Sequence, residues 1–258
     1  MLRLRQIAFV ANNLDPVEEH LQQVFGLGKG FNDPGVGTFG LRNSVIPAGR
    51  QFIEIVCPVR DNTAGGRYLE RRNGDGGYMT IFQCNDHPSL KARCDAMGIR
   101  RVFDHQGAEY WILQLHPADT GGTFLEVDVQ HGGESMDGPW EPGGAHWRDH
   151  FTETLVAITA AEIQSPDPTT LAARWSQILD RPTVSSGAAA HTLTVDNAEI
   201  RFVPCADGRP EGLGGIDVTV RSDDLEMVLA RAAQRGVAVH GDPSLLMIGG
   251  VRIRVRAA

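Results

Sequence analysis

The stretch "GTFLEV" (residues 122–127) places a carboxylate, Glu126, between two apolar residues of a segment that the sequence predicts to be a strand. The earlier stretch "RQFIEIV" (residues 50–56) does the same with Glu54. A buried carboxylate costs free energy unless it is paired, hydrogen-bonded or bound to a metal. Two acids at matching positions of two apolar strands therefore raise the question of whether they form one site.

An internal repeat relates the two stretches, because 126 − 54 gives an offset of 72 residues that also aligns the preceding helix boundaries. The matched pairs are Phe52 with Phe124, Glu54 with Glu126, Pro16 with Pro88, and Gly26 with Gly98. These pairs fall at a helix start, at a helix end and in a terminal strand. The offset therefore indicates a duplicated unit.

Each unit is predicted to be a strand, a helix and two or three further strands. In the first unit, "LRQIAFVAN" is an apolar strand, and "DPVEEHLQQVFGLG" has the helical spacing of apolar residues and a glycine stop. A second unit ends near residue 130, and a linker rich in Gly, Pro, Trp and His covers residues 131–150. Two more units, the third one shortened, follow in residues 151–258. The sequence thus predicts an α+β protein of four tandem βαβββ modules, paired within residues 1–130 and within residues 151–258.

Composition excludes several classes of protein. The chain has 258 residues and a formal net charge of −8, which disfavours a nucleic-acid partner. It contains no apolar run of the roughly 20 residues that span a bilayer, so we expect no membrane partner. Its N-terminus reads as a first strand and not as a signal peptide, so we expect a cytoplasmic protein. The four cysteines show no metal-site spacing and are predicted to be reduced.

Four tandem βαβββ units resemble the vicinal oxygen chelate superfamily. Its members include glyoxalase I, methylmalonyl-CoA epimerase, extradiol ring-cleaving dioxygenases, and the fosfomycin and bleomycin resistance proteins. The phrases "LHPADTGGTFLEV" (115–127) and "GGYMTIFQCND" (76–86) look like the end and the beginning of modules in that family. The resemblance implies two barrel-like curled sheets with helices outside, each sheet made by two modules that pair edge to edge around one cavity.

The resemblance also implies a divalent metal held by side chains from the first and last strands of paired modules. Carried over to this chain, the metal ligands are Gln6, Glu54 and Glu126. The fourth position is Tyr78 by the 72-residue offset, or Met79 after a slip of one residue, where the family normally has His. Oxygen ligands suit Mg, Mn or Ca better than Zn. The resemblance implies a divalent cation, which could be Mg, Mn, Zn or Fe, and a site without metal stays an alternative.

The second half departs from the ligand pattern. Arg201, and either Arg252 or Arg254, fall at the positions that correspond to Glu54. The opening strands "TLVAIT" and "GIDVTV" carry no His. Because extradiol dioxygenases keep a two-His, one-carboxylate iron site in their second half, that activity is disfavoured, and we interpret the second half as a degenerate site.

Two function classes follow. The first is a glyoxalase-like enzyme, of isomerase, epimerase, lyase or hydrolase type, acting on a small oxygenated substrate with a metal as Lewis acid. Its candidate catalytic residues are Glu54, Glu126, Tyr78 and His116. The second is a metal-free protein that binds a small molecule, as resistance-type members do. The assembly that we consider is a homodimer.

Some residues have plainer interpretations. Tyr78 could be a cavity wall, and His116, which precedes Pro117, could only anchor a turn. Trp140 and Trp147 of the linker could cover a pocket or, as we prefer, pack between the halves.

Overall fold

The computed structural model describes residues 1–187, 190–205 and 207–258. Its first half is built from β1 (Leu2–Val10), α1 (Leu14–Phe25), β2 (Leu41–Ala48), β3 (Gln51–Pro58), α2 (Ala64–Arg72), β4 (Gly76–Cys84), α3 (His87–Ala96), β5 (Arg101–Gln106), β6 (Tyr110–Leu115) and β7 (Phe124–Gln130). Its second half is built from β8 (Leu155–Ser165), α4 (Pro168–Leu179), β9 (Thr183–Gly187), β10 (Ala190–Val195), β11 (Ala198–Pro204), β12 (Gly212–Val220), α5 (Leu225–Gln234), β13 (Ala238–His240), β14 (Asp242–Ile248) and β15 (Val251–Ala257). Short 3₁₀ helices lie at Pro34–Phe39, Pro117–Asp119, Glu141–Gly143, Trp147–His150 and Ser222–Asp224.

Two curled, open sheets confirm the predicted fold class. The first has the strand order β2-β3-β1-β4-β7-β6-β5, and the second β13-β14-β15-β12-β8-β11-β10-β9. At the centre of each sheet the first strands of two modules pair antiparallel, β1 with β4 and β12 with β8. In the first module a 3₁₀ helix (Pro34–Phe39) and a single bridge between Phe31 and Val45 stand where the other modules have another strand.

Local sequence explains the helix boundaries. Asn13 caps α1 by accepting from the backbone N–H of Asp15, and Gly26 ends the helix in the left-handed conformation with φ 65°. Helix α2, which the sequence analysis did not predict, begins after Thr63, whose side chain accepts from the backbone N–H of Gly66. It ends at Asn73, also left-handed. The sequence does not indicate this helix because two glycines lie in its first turn, and glycine is a poor helix former.

The two faces of the first sheet have different roles. Alternate residues of a strand point to opposite faces, so Ile53 and Ile55 pack with the helices while Phe52, Glu54 and Val56 point to the other side, the inner face. The helix-side core is continuous across both halves and includes Trp175 and Val228. It therefore joins the two sheets into one packed body.

The inner face of the first sheet is covered by α2 and by the linker. Tyr68 and Leu69 of α2, with Trp140 and Trp147 of the linker, form a second apolar cluster with the inner-face residues. The prediction that the tryptophans pack between the halves was wrong. They are 1% and 2% exposed and lie against Phe52 of the first sheet. Within the described residues, none of the helices is both long enough and apolar enough to cross a bilayer.

Candidate active site on the inner face of the first sheet

Glu54 lies buried on the inner face and is held by two side-chain amides. It is 6% exposed. Its Oε2 accepts from Nε2 of Gln6 at 2.9 Å, and its Oε1 accepts from Nδ2 of Asn43 at 2.6 Å. Burial raises the pKa of Glu54 to about 7, against the opposing effect of the hydrogen bond from Asn43 and with a further increase from the charge of Glu126. Glu54 can therefore gain or lose a proton near neutral pH.

Glu126 occupies the corresponding place in the second module. It is 8% exposed, and its Oε2 accepts from Nε2 of Gln114 at 2.9 Å. Burial raises the pKa of Glu126 to about 7 as well. Because Phe124 belongs to the inner cluster while Leu125 and Val127 belong to the helix-side core, Glu126 points to the same face as Glu54.

Asp128 is a third carboxyl of this face, and the sequence analysis missed it. It is fully buried and accepts from the hydroxyl of Tyr110 at Oδ2. Its carboxyl lies within hydrogen-bonding reach of that of Glu126, and burial together with the charge of Glu126 raises the pKa of Asp128 well above its usual range. Oδ1 finds no donor among the described residues. A proton shared between the two carboxyls would fill that place.

The strand register identifies the structural counterpart of Gln6. In the parallel pairs, Gln6 lies opposite Phe52 and Met79 lies opposite Phe124. Met79, and not Tyr78, thus corresponds to Gln6, and the offset between the first strands is 73 residues. Each first strand carries a β-bulge at the same place, with Arg5 as the extra residue of β1 and Tyr78 as the extra residue of β4, also 73 residues apart. The offset falls to 72 at the helices because Gln6 and Pro16 are 10 residues apart (16 − 6), whereas Met79 and Pro88 are 9 apart (88 − 79).

Tyr78 is packed in the aromatic cluster of the inner face. Its ring packs edge-on against Tyr68 and Phe124, with ring centroids 5.1 Å and 4.9 Å apart. Burial, followed by the nearby hydroxyl of Tyr68 and the charge of Glu54, raises the pKa of Tyr78 well above its usual value. The phenol therefore stays protonated, which favours the wall interpretation over a phenolate ligand.

Gln6, Glu54 and Glu126 do not fit a metal in the arrangement seen. Oε1 of Gln6, the atom that would ligate, accepts from the indole Nε1 of Trp140 at 2.8 Å. Both oxygens of Glu54 accept from amide N–H groups, which a cation would have to displace. The described residues also contain no group of three His, Cys, Asp or Glu side chains placed to hold a metal ion.

His116 serves as a cap. Its Nδ1 accepts from the backbone N–H of Ala118 at 3.1 Å, at the start of the 3₁₀ helix Pro117–Asp119. No hydrogen bond joins it to Glu54 or Glu126 in the part of the chain that the structure describes. The geometry thus favours the anchoring interpretation.

The second sheet replaces the acids with arginines. Strand pairing identifies the equivalent position in each of the four modules. It is the residue of the last strand that pairs with the third residue after the bulge of the first strand. The residues at this position are Glu54, Glu126, Arg201 and Arg254. Arg201 binds Asp217 with both terminal nitrogens, at 2.9 Å and 2.6 Å. The inner face of the second sheet is therefore held by ion pairs.

Comparisons with known proteins rest on structure alone. No protein-family model and no curated protein matches the sequence. A hypothetical protein from Staphylococcus aureus matches over 100% of both chains with a TM-score of 0.67 and 12% identity. A triple mutant of 4-hydroxymandelate synthase from Streptomyces coelicolor matches over 91% of this chain and 75% of its own, with a TM-score of 0.62 and 15% identity. Methylmalonyl-CoA epimerase from Mycobacterium tuberculosis covers 49% of this chain and 87% of its own, with a TM-score of 0.43 and 20% identity.

These likenesses concern the fold. The two matches with TM-scores of 0.67 and 0.62 share the fold, and identities of 12% and 15% carry no information about chemistry. The central antiparallel pairing of first strands is present in both halves of this chain. The chain therefore has the fold of the vicinal oxygen chelate superfamily.

Proposed function

We propose that the inner face of the first sheet is the active site of an enzyme that transfers a proton on a small oxygenated substrate. The observation that carries the proposal is the pair of buried glutamates on one face, each with its pKa raised to about 7. A catalytic acid or base works best when its pKa lies near the working pH. A buried position costs a purely structural glutamate free energy, because its charge loses contact with water.

The surroundings of the two glutamates divide the roles. Glu54 accepts from two amide N–H groups, which favour its ionised form, and we assign it as the general base. Glu126 has one amide donor and a neighbouring carboxyl, Asp128, with which it shares a proton. We assign this pair as the general acid. The base Glu54 removes a proton from the carbon beside a carbonyl, and the acid pair of Glu126 and Asp128 returns one, as in isomerisation or epimerisation.

The linker bears on access to this site. Trp140 and Trp147 cover the inner face, and Trp140 is hydrogen-bonded to Gln6 beside Glu54. A substrate reaches the glutamates after the linker shifts, and its return excludes water from the proton transfer.

Solvent hydrogen exchange tests the proposal. Pyruvate, acetoin and a propionyl thioester are incubated with the protein in D₂O, and deuterium incorporation beside the carbonyl is followed by NMR. We expect exchange above the buffer rate with at least one probe and a loss of about 100-fold or more in Glu54→Gln and Glu126→Gln. Glu162→Gln, which alters a carboxyl on the second sheet, is the matched control and keeps the wild-type rate. Exchange that survives both active-site variants would overturn the proposal.

A metal-free binding protein is the second candidate. The specific observation in its favour is the aromatic wall of the inner face, in which Phe52, Tyr78, Tyr110 and Phe124 are all buried. Flat, rigid rings of this kind bind apolar or aromatic ligands. Absence of exchange with every probe, together with stoichiometric binding of an aromatic ligand that Phe124→Ala weakens, would establish this function in place of the first.

A further inference from the structure

Arg5 is a fully buried arginine that forms no ion pair with a carboxylate of the described residues. Its side chain is 0% exposed and lies next to Gln6 at the bulge of β1. Nη1 donates to the backbone carbonyls of Arg50 and Met136. Nε and Nη2 have no acceptor among the described residues. Since buried polar groups are nearly always paired, these two orphan donors call for an explanation.

The two free nitrogens lie on one edge of the guanidinium group. That edge matches a carboxylate, whose two oxygens accept two parallel N–H bonds. A third orphan donor belongs to the same cluster, because Nε1 of Trp147 is buried and also lacks an acceptor in the described part of the chain. The guanidinium carbon of Arg5 lies 5.8 Å from the centroid of the Trp147 ring. The cluster thus offers three donors and requires acceptors.

Three aromatic rings surround the guanidinium group of Arg5. The guanidinium carbon lies 5.2 Å from the ring centroid of Phe52 and 5.5 Å from that of Trp140. The carboxylate of Asp137, whose charge acts on Arg5, is hydrogen-bonded to Nε of Arg50 at 2.6 Å. Burial lowers the pKa of Arg5 to about 9, so the group remains a cation at neutral pH. Arg5 is therefore a cation among aromatic rings, and no carboxylate of the described residues is bonded to it.

The cage adjoins the candidate active site. The same indole that stacks over Arg5 donates its N–H to Oε1 of Gln6, and Gln6 in turn donates to Glu54. We propose that the Nε–Nη2 edge of Arg5, together with the indole N–H of Trp147, binds the carboxylate of a small organic acid whose reacting carbon lies toward Glu54. This inference rests on the proposed function and narrows its substrate to a 2-oxo or 2-hydroxy acid.

Binding of three matched probes tests the inference. Pyruvate carries the carboxylate, methyl pyruvate is its uncharged counterpart, and inorganic phosphate is a tetrahedral anion. Affinities are measured by calorimetry on the full chain. We expect pyruvate to bind and methyl pyruvate to bind at least tenfold more weakly. Equal binding of pyruvate and methyl pyruvate, tighter binding of phosphate, or no binding of pyruvate would overturn the inference.

Two variants probe the donors separately. Arg5→Lys keeps the charge and removes the two-donor edge, and Trp147→Phe keeps a ring and removes only one N–H. We expect Trp147→Phe to weaken pyruvate binding about tenfold, because a hydrogen bond to a charged group is lost, and Arg5→Lys to weaken it more. Trp111→Phe is the matched control, since the Trp111 indole already donates to the carbonyl of Gly107. Unchanged affinity in folded Trp147→Phe would count against the subsite even if Arg5→Lys did not fold.

The outcomes also separate this inference from the proposed function. Binding of pyruvate that depends on Arg5, without any catalysed exchange, leaves the subsite in place and overturns the proton-transfer proposal. Exchange that depends on Glu54, with pyruvate affinity unchanged in Arg5→Lys and Trp147→Phe, does the reverse.

Discussion

The indole N–H of Trp140 donates to Oε1 of Gln6 at 2.8 Å and so ties the linker to the first strand of the chain, 134 residues away. Both partners are buried, Gln6 at 2% and Trp140 at 1% exposure. Because this bond fixes Oε1 of Gln6 as the acceptor for Trp140, the Nε2 group of Gln6 points toward Glu54 and donates to it. One contact thus closes the inner face and fixes the donor that keeps Glu54 partly ionised.

Trp140→Phe should therefore destabilise the protein and shift the titration of Glu54. The substitution leaves Oε1 of Gln6 buried without a donor, which costs about 1–3 kcal/mol of unfolding free energy. Denaturant unfolding measures the loss. A control, Trp111→Phe, removes a half-buried indole N–H outside the inner cluster and should cost less. An equal decrease of the unfolding free energy in the two variants would show that the hydrogen bond to Gln6 contributes no more stability than that of Trp111.

The raised pKa values predict that the protein becomes more stable as the pH falls from 8 toward 5. The folded-state pKa of Glu54 and of Glu126 is about 7, above the ordinary value of 4.5. Between these values the folded state binds more protons than the unfolded state, so the unfolding free energy falls as pH rises through this window. Each group accounts for about 2–3 kcal/mol at most, and coupling with Asp128 reduces the sum.

Melting temperature measured between pH 5 and pH 8 checks this prediction. The double variant Glu54→Gln, Glu126→Gln should be more stable than the wild type at pH 8 and should show a flatter pH profile. A wild-type melting temperature that rises between pH 5 and pH 8 would contradict the raised pKa values of these two carboxyls.

The register of the bulges predicts where a metal ligand could be added. Met79 corresponds to Gln6, whereas Tyr78 is the bulge residue. Met79→His should therefore point an imidazole at the inner face near Glu126 and raise the affinity for Zn²⁺ or Mn²⁺ at least tenfold over the wild type. Tyr78→His is the matched control and should leave the affinity unchanged. Calorimetric titration of chelator-treated protein measures both, and a gain in Tyr78→His alone would restore the uniform 72-residue offset.

The arginines of the second sheet predict a structural role for that half. Asp217 is 4% exposed and is bound by both terminal nitrogens of Arg201. Removing one partner of a buried pair costs about 3–5 kcal/mol, and the weaker contact from Arg256 at 3.3 Å softens the loss. Arg201→Met should thus lower the unfolding free energy by about 2–3 kcal/mol and leave proton exchange by the folded protein unchanged. Loss of exchange without loss of stability would instead place a functional site on the second sheet.

Much of the fold follows from periodicity and from the repeat. Period-two alternation in "FIEIV" and "FLEVD" assigns Glu54 and Glu126 to one face, and the same alternation would have added Asp128. The helix α2 was not predicted because its two glycines oppose helix formation, while its Thr63 cap and its final Arg71 and Arg72 support it. The Trp140–Gln6 bond joins residues 134 positions apart, and no local pattern encodes such a contact.

A one-residue difference in length between the two modules explains why the offset failed at one position. The first strand is followed by its helix one residue sooner in the second module, so the offset is 73 for the first strands and 72 from the helices onward. The bulges at Arg5 and Tyr78 follow the offset of 73, and a residue-by-residue count aligned on the helices does not show it. The choice between Tyr78 and Met79 therefore required the pairing register.

Gly77 provides a test of how firmly the two halves are joined. It lies on β4, where a Cβ atom would meet the backbone oxygen of Leu213 at 2.4 Å and its Cγ at 2.5 Å. Leu213 belongs to β12 of the second sheet and is fully buried, so neither strand can yield without disturbing the shared core. Gly77→Ala should therefore cost about 3 kcal/mol of unfolding free energy through overpacking. Gly37→Ala, at a position with nothing within 4 Å of the added carbon, is the control and should be nearly neutral.

If Gly77→Ala unfolds in one transition at a lower denaturant concentration, the halves are one cooperative unit. Two separate transitions would show that the β4–β12 contact alone couples them.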